Sequence, residues 1–115
     1  MATPANQIGP IAKVDLATDT AANTLTLGLM DVIDRTGINL FNSSNVSGGT
    51  YQFGLVESRH QLVIDGTNAD KVVTSGGFVD TGLTAVMNGH TYEVYNQGLY
   101  AQLLIDQSIN RTSVI

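Results

Sequence analysis

Apolar and polar positions alternate in short runs along this chain, and most runs close on glycine, asparagine or aspartate. Thr24-Leu25-Thr26-Leu27 alternates with a period of two, the signature of a half-buried strand. Leu29, Val32 and Ile33 then follow at helical spacing, with Asp31 and Asp34 on the opposite face. This predicts one short helix near 28–35, stopped by Gly37. Strands are predicted at 51–56, in the dense apolar run 60–65, from Lys71 to Ser75, and from Phe78 onward. The strongest local signal is Asn88-Gly89 between LTAVM (83–87) and HTYEVY (90–95). Asn-Gly is the preferred two-residue hairpin turn, because both central residues take positive φ. His90, Tyr92 and Val94 then share one face, and Thr91, Glu93 and Tyr95 the other. A second turn at Asn96-Gln97-Gly98 leads into YAQLLID, which extends the hairpin to a three-strand meander. Residues 42–50 read as a loop, residues 1–16 as a linker or edge strand, and no internal repeat of useful length is visible. The expectation is one mainly β domain over 1–115, an antiparallel β-sandwich-like fold with one short helix.

Composition sharpens this picture. The chain has 115 residues, of which 43% are hydrophobic, enough for a core. Charged residues make up only 13%, and thirteen Thr, twelve Gly, nine Asn and seven Ser fill the deficit. The net charge of −5 offers no basic surface to a phosphate backbone, so nucleic acid is excluded as a partner. Cysteine is absent, which excludes disulfides, thiolate metal sites and a cysteine nucleophile. No apolar run approaches the ~20 residues of a membrane helix, and residues 1–10 show no secretory leader pattern.

Candidate chemistry is sparse. His60 and His90 stand alone in sequence and read as structural. No Gly-x-Ser-x-Gly elbow or phosphate-binding loop is present, so no enzyme is expected. The turn Asp65-Gly66-Thr67-Asn68-Ala69-Asp70 places oxygen side chains at Asp65, Asn68 and Asp70. Calcium favours carboxylates and amides on such loops, although a turn held by side-chain-to-backbone bonds explains the same residues. Asp15 with Asp19, and Asp106, are weaker alternatives. Tyr92, Tyr95 and Tyr100 cluster in the meander. They could form a sugar-binding platform, or pack across strands.

Four segments in order, LTLGLMDVID (25–34), HQLVIDGTNADKVV (60–73), GGFVDTG (76–82) and NGHTYEVYNQGLYAQLLID (88–106), resemble a module of large repetitive bacterial surface adhesins of the biofilm-associated type. Such proteins leave the cell by type I secretion and often carry repeats-in-toxin calcium motifs. Phe78 stands where that module has Trp, and Ala69 where its turn has Gly. The resemblance implies a non-catalytic structural or adhesive module, extracellular or on the cell surface, supporting adhesion or biofilm formation. It also implies calcium as a candidate stabiliser and neighbouring modules of the same protein as partners. The alternative is a module that binds a carbohydrate or host surface through its tyrosines.

Overall fold

The computed structural model describes residues 13–16, 22–30, 32, 36, 41–43, 46–54, 58–87, 89–98 and 100–114. Its strands are β1 (Lys13–Asp15), β2 (Thr24–Gly28), β3 (His60–Asp65), β4 (Lys71–Ser75), β5 (Val79–Met87), β6 (His90–Gln97), β7 (Ala101–Asp106) and β8 (Asn110–Ser113). They form a five-stranded sheet in the order β1-β3-β7-β6-β5 and a three-stranded sheet in the order β2-β4-β8.

The mainly β expectation holds, but the antiparallel one is corrected. β1, β3 and β7 pair in parallel, and so do β2, β4 and β8. Among the named strands only the β5-β6-β7 meander is antiparallel, with Met87 opposite His90 across the expected hairpin turn and Gly89 at φ 78°. The reason lies in the connections. The turns after β3 and β7 carry the chain to the other sheet instead of back along the same one. Neighbours within a sheet therefore come from successive passes and run the same way. Three passes stack in this manner: β1–β2, β3–β4 and β7–β8.

The stack brings two short, similar runs together. QLVID (61–65) and QLLID (102–106) lie side by side, with Gln61 paired to Gln102, Leu62 to Leu103, Val63 to Leu104 and Ile64 to Ile105. Val14 pairs with Ile64 and Asp15 with Asp65, so the first pass carries the same Val/Ile-Asp ending. Parallel stacking puts like beside like, which explains why these two runs are nearly the same sequence.

Both faces of the larger sheet are covered. Leu62, Ile64, Leu103 and Ile105 face the smaller sheet and share a core with Val72, Phe78, Tyr95 and Ile109. Val63, Leu104, Val94, Tyr92 and Ala85 point the other way, under Phe41, Val46, Tyr51 and Phe53. β7 is buried at every position, as a strand with two covered faces should be. Each of these large aliphatic side chains contributes roughly 1.5–3 kcal/mol through burial.

The covering segment, 46–54, is not the strand expected at 51–56, and residues 55–57 lie outside the described residues. It is held along the edge of β5: Ser47 N–H donates to the Val86 carbonyl at 2.8 Å, Val86 N–H to the Gly48 carbonyl at 2.9 Å, and Tyr51 N–H to the Thr84 carbonyl at 2.8 Å. Gly49 allows this approach. It sits at φ 104°, and a β-carbon there would collide with the Thr84 backbone. The expected helix near 28–35 is not described: Gly28 ends β2, and residues 31 and 33–35 lie outside the described residues.

Candidate functional site

Parallel stacking gathers the chain's chemistry at one rim of the larger sheet. Asp65 and Asp106 close β3 and β7 directly after the paired Ile64 and Ile105. Tyr92 of β6 lies opposite Asp106, and β1 brings Lys13 and Asp15 from the other side. The Lys13 ammonium pairs with Asp65 Oδ2 at 2.6 Å, and the Tyr92 hydroxyl donates to Asp65 Oδ1. Asp106 accepts the Ser108 N–H at 2.9 Å, and its Oδ2 lies 3.6 Å from Nδ1 of the exposed His90. One ligand atom from each of Asp65, His90 and Asp106 falls within 4.8 Å of the others.

The electrostatics follow from this crowding. Burial pushes the Tyr92 hydroxyl well above the ordinary tyrosine range, and the Asp65 carboxylate it donates to pushes it further. Lys13 is raised by its hydrogen bond and charge contact with Asp65. A buried carboxylate with an ammonium on one oxygen and a phenol on the other is a neutralised strut between β1, β3 and β6. Two carboxylates and an imidazole at this spacing could also take a divalent cation if Lys13 moved aside.

The residues expected to bind calcium are used in different ways. Asn68 is exposed at the tip of the turn, whereas Asp70 is only 1% exposed. The Asp70 carboxylate accepts the Thr67 N–H at 2.8 Å and the Asn23 N–H at 3.0 Å, so it closes its own turn and ties that turn to the pass before it. The Thr67 N–H is the main cause that holds Asp70 below the usual carboxylate range, with Asn23 adding to it. Asp65 is turned to Lys13 and Tyr92, so the two carboxylates engage separate partners.

The tyrosines are also divided. Tyr92 and Tyr95 are buried, and the Tyr95 hydroxyl accepts from Arg111 at 3.2 Å, while Tyr100 is 63% exposed. The aromatic pair nearest to an open hollow is instead Tyr51 and Phe53, with ring centroids 4.7 Å apart. They line a depression of about 200 Å³ with Ser43, Ser47, Gly48 and Gln52, where the expected loop 42–50 meets the run 51–56 expected to be a strand.

Sequence reading missed the rim cluster because its members are spread over 94 positions, from Lys13 to Asp106. The shared Ile-Asp ending of QLVID and QLLID was the available signal. It also missed a buried amide ladder on the same face. Gln61 clamps both backbone groups of Phe41 at 2.8 and 2.7 Å and donates to Gln102 at 2.8 Å. Gln102 donates to Asn96 at 2.9 Å, and Asn96 to the Tyr51 hydroxyl at 3.1 Å.

Neither a protein-family model, nor a curated protein, nor a solved structure matches the chain.

Proposed function

We propose that this chain is a non-catalytic structural or adhesive module of a large bacterial cell-surface or secreted protein, supporting cell adhesion or biofilm formation. The observation that carries the reading is the stack of three passes, in which polar side chains brought together by the fold are spent on internal ties. Asp65, Asp70, Tyr92 and Tyr95 all hold one strand or turn to another. A surface module in series must resist unfolding, and ties between successive passes serve that end. The low charge and the excess of Asp over Glu suit an exported domain.

Calcium has weaker support in the geometry. Asp70 is taken up by Thr67 and Asn23, and Asp65 by Lys13 and Tyr92, so an ion at Asp65, Asn68 and Asp70 must displace existing partners. A second reading, a carbohydrate-binding module, is favoured by the hollow beside Tyr51 and Phe53, since sugars pair an apolar ring face with hydroxyl and amide partners.

Display of the chain on a non-adherent bacterial host tests these readings together. The expected result is increased settling and surface attachment. No change in attachment would reject the adhesive role. Attachment abolished by a chelator and restored by calcium would bring the ion into the mechanism. Attachment blocked by free sugars, and lost on Tyr51→Ala, would move the conclusion to the second reading.

A further inference from the structure

The rim where β3 and β7 end holds two carboxylates and an imidazole whose bonding capacity the internal ties do not exhaust. Asp65 and Asp106 are 7% and 8% exposed, and His90, the first residue of β6, stands in solvent beside them. One ligand atom from each lies within 4.8 Å of the other two. The charges of Asp65 and Asp106 both hold the proton on the Tyr92 hydroxyl, so the two carboxylates act on one small volume.

The partners of the two carboxylates differ. Asp106 Oδ1 accepts the Ser108 N–H. Its Oδ2 meets no hydrogen-bond donor among the described residues, because the contact with His90 Nδ1 is 3.6 Å long, beyond hydrogen-bond range. One oxygen of a buried carboxylate is thus left facing an imidazole nitrogen. Burying such an oxygen without a donor is costly, and a cation on it offsets the cost.

Asp65 is paired, but with an exchangeable cation. Its Oδ2 holds the Lys13 ammonium at 2.6 Å, and the Lys13 side chain is 52% exposed. That ammonium sits at the tip of a flexible stem that can turn to water without moving β1. Tyr92 is the fixed partner: its buried hydroxyl donates to Oδ1 and orients the carboxylate. Asp65 can therefore exchange one cation for another and keep its tyrosine.

We infer that Asp65, His90 and Asp106 form a site for a divalent transition metal of the zinc type, which displaces Lys13 from Asp65 and completes its shell with water. The imidazole selects this class, since calcium and magnesium take oxygen donors while zinc accepts imidazole and carboxylate together. Tetrahedral zinc at about 2.0–2.1 Å from each ligand sets its donors about 3.3 Å apart. His90 and Asp106 are near that spacing at 3.6 Å, and rotation of the exposed His90 side chain supplies the remaining adjustment. A bound ion ties the start of β6 to the ends of β3 and β7. The site shares only Asp65 with the turn that carries Asn68 and Asp70, and it stands whether or not the chain is adhesive.

Titration calorimetry of zinc chloride into the full chain, in a buffer that does not chelate, is the test. The expected result is one zinc per chain with a dissociation constant of about 10 µM or lower. His90→Ala changes an exposed side chain and should weaken binding at least about tenfold. Asp106→Asn, which keeps the shape and the acceptor for Ser108, should do the same. His60→Ala should leave binding unchanged, because the His60 ring contacts the Thr36 carbonyl away from the rim. Lys13→Met removes the competing ammonium, keeps the apolar stem, and should tighten binding at least about threefold. Zinc should also raise the melting temperature of Lys13→Met more than that of the wild type, a readout that holds even if this variant is the less stable protein. No binding at about 100 µM zinc overturns the inference. So does binding that survives both His90→Ala and Asp106→Asn, or a Lys13→Met variant that zinc binds and stabilises no better than the wild type.

Discussion

Glu93 shows how the fold sets the chemistry of a single residue. It sits on the inward face of β6 with only 7% exposure, beside Asp80, Gln107, Arg111 and Tyr95. Burial is the main cause that raises its carboxyl above the ordinary value of 4.5. A hydrogen bond shared with the Asp80 carboxylate raises it further, against the smaller pull of Gln107 and of Arg111 at 3.9 Å. Asp80 is held low by the same shared bond. The folded chain therefore binds the Glu93 proton more tightly than the unfolded chain does. The stability this gives is fully present below about pH 4.5 and is lost as pH rises through the folded-state value. Glu93→Gln keeps the shape and a donor for Asp80 and removes the ionisation. The expected outcome is a melting temperature that falls less than the wild type's between pH 4.5 and pH 8, measured by thermal denaturation in a pH series. Parallel curves for the two proteins would show that Glu93 is not held protonated by the fold.

At the scale of elements, the amide ladder is the tie between the central strands and the segment that covers them. Gln61 and Gln102 are 0% exposed and lie in register on β3 and β7, with Asn96 opposite Gln102 on β6. Buried amides inside apolar strands are costly unless bonded, and here Gln61, Gln102 and Asn96 pass hydrogen bonds from Phe41 to Tyr51, two residues that cover this face of the sheet. Gln102→Leu leaves an amide donor of Gln61 and the carbonyl of Asn96 without these partners. Denaturant titration should show a loss of about 1–3 kcal/mol for each group left unsatisfied, with faster proteolysis inside 46–54. An unchanged midpoint would mean that the ladder contributes nothing net. Part of this was legible in the sequence. Asn88-Gly89 announced the β5–β6 hairpin because a two-residue turn is encoded locally. The parallel partners were not legible in the same way, since β3 and β7 meet across more than forty residues with no turn between them to report the pairing. What the sequence did carry was the lack of alternation in QLVID and QLLID, a mark of strands covered on both faces. The rim cluster shares this limit: Asp65 is visible as a turn residue, while its partnership with Lys13 and Tyr92 exists only after three passes have stacked.

At the scale of the whole molecule, the stack predicts a gradient of local stability across its strands. β3 and β7 are hydrogen-bonded on both sides and covered on both faces, so their amides open only with global unfolding. Among the described residues β2 and β8 each have one neighbouring strand, and β1 is three residues long with one neighbouring strand. Amide hydrogen exchange on a dilute sample should therefore be slowest at Leu62, Ile64, Leu103 and Ile105, and fast at Thr24 and Thr26, whose N–H groups point away from β4. Uniform exchange across β2 and β3 would show that the passes open together and that the outer strands are no weaker than the centre.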